Sequence, residues 1–192
     1  MLGPSTIAGA GGENKSMRGY FAIGVEGISK PENAGNLFRS AHAFGASFVF
    51  SIAADQRVQR SHADTSRTAE NLPWYVYPTV ADFALPSGCQ LVGIELLDEA
   101  VELPSFRHPH RAAYVLGPER GQLSLELVAR CDHLVKIPTG FCITLSTAGA
   151  VVMYDRLLTL GRFAERPLTQ QTQAQPPAPH VHGGPRLRRK KA

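Results

Sequence analysis

Leu116-Gly117-Pro118-Glu119-Arg120-Gly121-Gln122 stands between an apolar run, residues 112–116, and a helical stretch, residues 124–130. A buried strand that breaks at glycine and re-enters a helix is the recurring joint of an α/β fold. The two glycines let backbone approach a ligand closely. Glu119 lies where a helix N-terminus favours negative charge. The same joint recurs on both sides of it. Residues 19–25 read as an apolar strand that Lys30-Pro31-Glu32 ends. A helix is predicted over residues 34–44, with Leu37, Phe38, Ala41 and Phe44 on one face and Gly45 as its C-cap. Further strands are predicted over residues 46–53, 74–77, 90–96, 112–116 and 133–137. A short helix is expected to close the polar stretch 55–71, and Thr79 to cap a helical turn over residues 80–85. The longest helix pattern runs over residues 146–163. Short, continuously apolar strands alternating with helices predict a parallel sheet covered on both faces. Ligands of such sheets bind outside the carboxyl ends of the strands. The loops after Val25, Ile94, Leu116 and Ile137 are therefore where a site is expected.

The chain of 192 residues has 43% hydrophobic and 19% charged residues, a balance suited to a globular domain. Its net charge of +4 is unevenly spread. Residues 166–192 hold six basic residues and no acid, which leaves fourteen basic residues against sixteen acids, a formal −2, over residues 1–165. The stretch TQQTQAQPPAPHVHGGP, residues 169–185, is too polar to offset its ordering entropy, so disorder is predicted there. The basic cluster Arg186, Arg188, Arg189, Lys190 and Lys191 either attracts a polyanion such as RNA or only solubilises the end. A flexible segment is expected over residues 1–16, a folded domain over residues 17–165, and a basic tail over residues 166–192. Cys89, Cys131 and Cys142 lack zinc-ligand spacing, and no run approaches the ~18 apolar residues of a membrane span. Reduced thiols and a cytoplasmic location are the expectation, with no metal and no membrane. His108 and His110 have no acidic or cysteine partner near in sequence and read as loop residues. Gly9 to Ser16 approaches a phosphate-binding loop, but Asn14 replaces the glycine before Lys15 and no strand precedes it.

Two more loops carry chemistry. In Pro31-Glu32-Asn33-Ala34-Gly35-Asn36-Leu37-Phe38-Arg39, asparagines flank a glycine at a helix start, and Arg39 follows close to the apolar face. An arginine so placed snorkels to the surface or points into a site. In Ile137-Pro138-Thr139-Gly140-Phe141-Cys142-Ile143-Thr144-Leu145-Ser146-Thr147-Ala148-Gly149-Ala150, a Pro-Gly break leads into a helix start of small residues. Those residues permit close packing of a ligand, or of another helix.

In order and spacing, the three loops resemble the three signature motifs of the TrmH (SpoU) branch of the SPOUT RNA methyltransferases. Asn33-x-Gly35-Asn36-x-x-Arg39-x-Ala41 is similar to the first motif, Gly117-Pro118-Glu119 to the second, and Ile137-Pro138 with residues 142–148 to the third. The resemblance covers residues 19–163. It implies a parallel-sheet α/β-knot (SPOUT) fold whose C-terminal segment forms a deep trefoil knot. It also implies a homodimer that moves a methyl group from S-adenosylmethionine to a ribose 2′-hydroxyl of tRNA or rRNA. By the resemblance Glu95, Leu116, Gly117, Ile137, Cys142, Ile143 and Ser146 line the cofactor pocket. Arg39 is then the catalytic arginine, binding an RNA phosphate and stabilising developing alkoxide charge, because a guanidinium barely releases a proton. Asn33 and Glu119 orient that arginine and its loop. Two positions depart from the family pattern. Thr144 replaces an asparagine, and Gln122 stands where glycine is usual, with Gly121 one residue early. The first departure leaves open an alternative, a catalytically weakened or inactive RNA-binding module on the same fold.

Overall fold

The computed structural model describes residues 19–61 and 72–161. The expected flexible segment, the phosphate-loop-like stretch, residues 62–71 and the basic tail lie outside the described residues, as does the predicted end of the last helix at residue 163.

Seven strands form one wholly parallel sheet: β1 Tyr20–Glu26, β2 Phe48–Ile52, β3 Trp74–Tyr77, β4 Gln90–Ile94, β5 Val101–Glu102, β6 Arg111–Leu116 and β7 His133–Lys136. Their spatial order is β3-β2-β1-β6-β4-β7-β5. The two-residue strand β5 had no signal in the sequence, and a 3₁₀ turn at Leu103–Ser105 follows it. The helices are α1 Pro31–Ala43, α2 Gln56–Ser61, α3 Leu125–Arg130 and α4 Leu145–Leu160. A short helix, α2, stands at the start of the polar stretch, and the one expected at its end lies outside the described residues. Residues 80–82 form a turn and residues 83–85 are irregular, so no helix stands there, although Thr79 Oγ1 does accept from the Asp82 amide at 3.3 Å.

Side chains alternate across β1 with the period of a strand buried on both faces. Phe21, Ile23 and Val25 join Tyr114 and Leu116 of β6 under α1 and α4. Ala22 joins Phe50, Ala113 and Val115 beneath Leu123 and Leu127. Pro31 starts α1 one turn earlier than expected, since its ring presets the helical φ and the first position has no amide to satisfy. Gly45 ends it at φ +77°, the left-handed cap anticipated there. The small residues of α4 serve a helix–helix contact: a methyl on Gly149 would lie 2.3 Å from Leu37 Cδ1 of α1.

The amino ends of the central strands are locked by Arg156 of α4, 1% exposed. Its guanidinium donates to the carbonyls of Pro109 at 2.6 Å, His110 at 2.9 Å and Tyr20 at 3.3 Å, and to Tyr114 Oη at 3.2 Å. Tyr114 Oη lies 2.6 Å from His108 Nδ1, and His108 Nε2 lies 2.9 Å from Asp155 Oδ2. His108 is therefore a buried group with an acidic partner 47 residues away, where the sequence pattern offered none. One proton arrangement satisfies this chain: Tyr114 donates to Nδ1 and Nε2–H donates to Asp155, with the imidazole neutral. Burial lowers the pKa of His108 below its ordinary 6.5; Asp155 pulls the other way and Arg156 adds to the lowering. A lowered pKa means that the unfolded chain takes up the proton first. The stabilisation by neutral His108 is whole above about pH 6.5 and is lost as pH falls toward the folded value. Urea unfolding between about pH 8 and pH 5 should show the wild type losing more stability than His108→Gln. Equal losses would separate His108 from the acid sensitivity.

Candidate active site

The strands β1, β6, β4 and β7 are neighbours, so the four loops at their carboxyl ends meet. They enclose a cavity of about 490 Å³. Lys30 lines it from the loop after β1 and Asn33 from the first turn of α1; Glu95 and Leu96 from the loop after β4; Leu116, Gly117, Pro118, Glu119 and Gly121 from the end of β6 and the loop after it; and Ile137, Thr139, Cys142, Ile143, Thr144, Leu145 and Ala148 from the last loop and α4. These are the four loops that the strand pattern pointed to.

Carboxylates hold the walls. Glu119 Oε1 accepts from the Lys30 amide and from Asn33 Nδ2, both at 3.1 Å. Its Oε2 accepts from the amide and the hydroxyl of Ser29, both at 3.3 Å. Glu95 Oε2 accepts from the Leu123 amide at 2.9 Å and Oε1 from Leu96 at 2.9 Å. Glu26, 6% exposed at the end of β1, accepts from the Ser124 amide at 2.8 Å. The loop of residues 117–124 is thus clasped at its start through Glu119 and at its end through Glu95 and Glu26. Burial pushes the Glu119 carboxyl up, but hydrogen bonds from its own amide, Asn33, Ser29 and Lys30 outweigh it and hold the pKa below the ordinary value.

Glycine is needed at two points of this loop. A methyl on Gly117 would sit 3.0 Å from Glu95 Oε2 and 3.1 Å from the Leu123 amide, inside their hydrogen bond. Gly121 has φ +123°, a conformation L side chains rarely adopt. The loop therefore requires its glycine at 121, and Gln122 is a displacement of that requirement by one residue. Thr144 lines the cavity as the N-cap of α4, but its hydroxyl bonds the Thr147 hydroxyl at 2.7 Å rather than a backbone amide.

Of the residues expected in the site, Asn33, Glu95, Leu116, Gly117, Glu119, Ile137, Cys142 and Ile143 converge on the cavity. Ser146 does not line it; Leu145 and Ala148 face it from the same turn. Arg39 is exposed on α1 and lies outside the cavity wall. It stands six positions along the helix from Asn33, which turns it roughly 120° away around the axis. Glu119 binds Asn33 and not Arg39, so its clasp orients the loop rather than the guanidinium. Arg186, Arg188, Arg189, Lys190 and Lys191 lie outside the described residues. Sequence reasoning missed Glu26 and Lys30. Glu26 had a signal, an acid at the end of an apolar strand beside Gly27.

The family model of the SpoU rRNA methylase family matches residues 20–154. The chain belongs to this family. A curated relative is tRNA (guanosine(18)-2′-O)-methyltransferase TARBP1 of Mus musculus, 25% identical over an alignment of 139 positions that covers 67% of this chain and 9% of that protein. A solved AdoMet-bound rRNA methyltransferase from Sinorhizobium meliloti superposes with a TM-score of 0.65 at 20% identity, over 74% of this chain and 57% of that one. A structure concerned with 2-OH methylation of C/U34 on tRNA superposes with a TM-score of 0.60 at 24% identity, over 74% of this chain and 91% of that one. These likenesses confirm the parallel α/β architecture of the SPOUT methyltransferases. The SpoU chain spans 9% of the mouse protein's length and 57% of the Sinorhizobium chain's.

The clasp makes a direct prediction for this SpoU chain. Glu119→Gln keeps the shape but replaces one acceptor oxygen with a donor, so two of the four donors lose their partner. Stability should fall by about 1–2 kcal/mol in urea titrations, while Arg120→Gln, at an exposed neighbour, should leave the midpoint in place. Equal midpoints for both variants would mean that the carboxylate does not hold the loop.

Proposed function

We propose that the chain is an S-adenosylmethionine-dependent methyltransferase acting on a ribose 2′-hydroxyl of tRNA or rRNA. The observation that carries this reading is that residues of all three family motifs line one cavity at the carboxyl edge of the sheet. The cavity suits the cofactor by volume and by chemistry. Leu116, Ile137, Ile143 and Leu145 offer an apolar slot for an adenine ring. The close packing of Gly117 against Glu95 leaves main chain, rather than a side chain, facing the space. S-adenosylmethionine, when bound, supplies an activated methyl group, and no metal is required. Asn33 and Glu119 keep the first turn of α1 and the loop of residues 117–124 in register. Positioning the hydroxyl against the methyl donor is then the main catalytic contribution of the chain. Arg39 remains the residue for the substrate's charge. Exposed, and with no hydrogen bond or ion pair among the described residues, its guanidinium is free to take an RNA phosphate and steady an alkoxide from outside the cavity wall. The basic tail adds sequence-independent attraction for RNA.

The reading extends to assembly and topology. Val151, Tyr154 and Leu158 are 37–50% exposed and fall on one stripe of α4, which supports a homodimer built on that helix. The insertion of β7 between β4 and β5, followed by the return of α4 onto α1, supports a knotted C-terminal segment. A cytoplasmic location agrees with three free thiols.

The test is methyl-tritiated S-adenosylmethionine with unmodified tRNA and rRNA transcripts, followed by nuclease digestion. Label should reside on ribose. Arg39→Ala should reduce transfer by about 10²-fold with cofactor uptake unchanged, because Arg39 is outside the cavity wall. Label on a base, or an unaffected Arg39→Ala, would overturn the corresponding part of the assignment.

A further inference from the structure

We infer that Lys30 is a substrate-positioning residue that holds an RNA phosphate at the mouth of the cavity; the inference rests on the function proposed above. Among the described residues Lys30 is the one cation lining the cavity, against two acids, Glu95 and Glu119. The formal charge of the lining is therefore −1, which opposes entry of a polyanionic strand. Both acids are nonetheless occupied by backbone and side-chain donors, and neither pairs with Lys30 through its ammonium. The ammonium is left without a hydrogen bond or ion pair among the described residues, on an exposed side chain.

The base of that side chain is not free. The Lys30 amide donates to Glu119 Oε1 at 3.1 Å, and its carbonyl accepts from Asn33 at 3.1 Å and Ala34 at 3.3 Å as α1 begins. A pinned backbone with an unpaired cation on a flexible stem is a means of meeting a phosphate as a point charge. The same ammonium chemistry would suit a cofactor carboxylate. The exposure of Lys30 at the rim, rather than within the walls, favours the RNA.

The experiment uses the full chain with fluorescein-labelled, unmodified bulk tRNA across a salt series, and calorimetry with S-adenosylmethionine alone. Lys30→Met leaves the main-chain clasp intact. It should make the slope of log affinity against log salt shallower by about 0.7–0.9, the release from one phosphate. Cofactor affinity and melting temperature should stay unchanged, and Lys30→Arg should restore the slope. An unchanged slope in Lys30→Met overturns the inference while leaving the methyltransferase reading in place. So does a loss of cofactor affinity with the slope intact, which would assign the ammonium to the cofactor carboxylate. A wild-type chain that binds the cofactor but no RNA sinks this inference and the choice of substrate together.

Discussion

Carboxylates turned onto backbone amides are the interaction on which the site depends. Loops at the carboxyl edge of a parallel sheet have amides that the sheet does not satisfy. Glu26, Glu95 and Glu119 take them up and in doing so tie one loop to two others. Glu119, which accepts several such groups, is stabilised in its charged form, so its clasp is whole at neutral pH. Acids that would otherwise repel RNA are thereby engaged inside the walls.

The opposite edge of the sheet is secured by the inverse device. Arg156, buried on α4, satisfies backbone carbonyls around the starts of β1 and β6. Anionic groups collect amides where the strands end, and a cationic group collects carbonyls where they begin. Between them α4 is pinned at one end by Arg156 and at the other by its packing on α1 through Gly149. Its N-terminal turn, with Thr144, Leu145 and Ala148, is thus presented to the cavity from a fixed helix. The rigid scaffold and the site share the same chain segment.

Much of this was legible in the sequence. Continuous apolar runs marked six of the seven strands, and Gly45 and Gly117 marked a helix cap and a close approach. The four loops were located because a parallel sheet leaves ligands little other choice. Partners distant in sequence were not legible. Glu119 bonds residues 86 to 90 positions away, and His108 finds Asp155 47 positions away; no local pattern encodes such pairs. Arg39 illustrates a different limit. Its nearness to Leu37 and Phe38 in sequence suggested an apolar setting, whereas the helical turn places it opposite the buried Leu37. Ser146 stands off the cavity wall for the same reason, since Leu145 and Ala148 line it from that turn of α4. Lys30 was passed over because it sits beside the proline that breaks the strand and looked like punctuation.

If the carboxylates shape the cavity, its walls form before any cofactor arrives. Residue-resolved amide hydrogen exchange on the free full-length chain tests this most directly. The amides of Ser29, Lys30, Leu123 and Ser124 should be protected without S-adenosylmethionine, to a degree that falls in Glu119→Gln for the first two and not for the last two. If all four exchange at open-loop rates until the cofactor is added, the carboxylates do not preform the site, and the cavity owes its shape to the ligand instead.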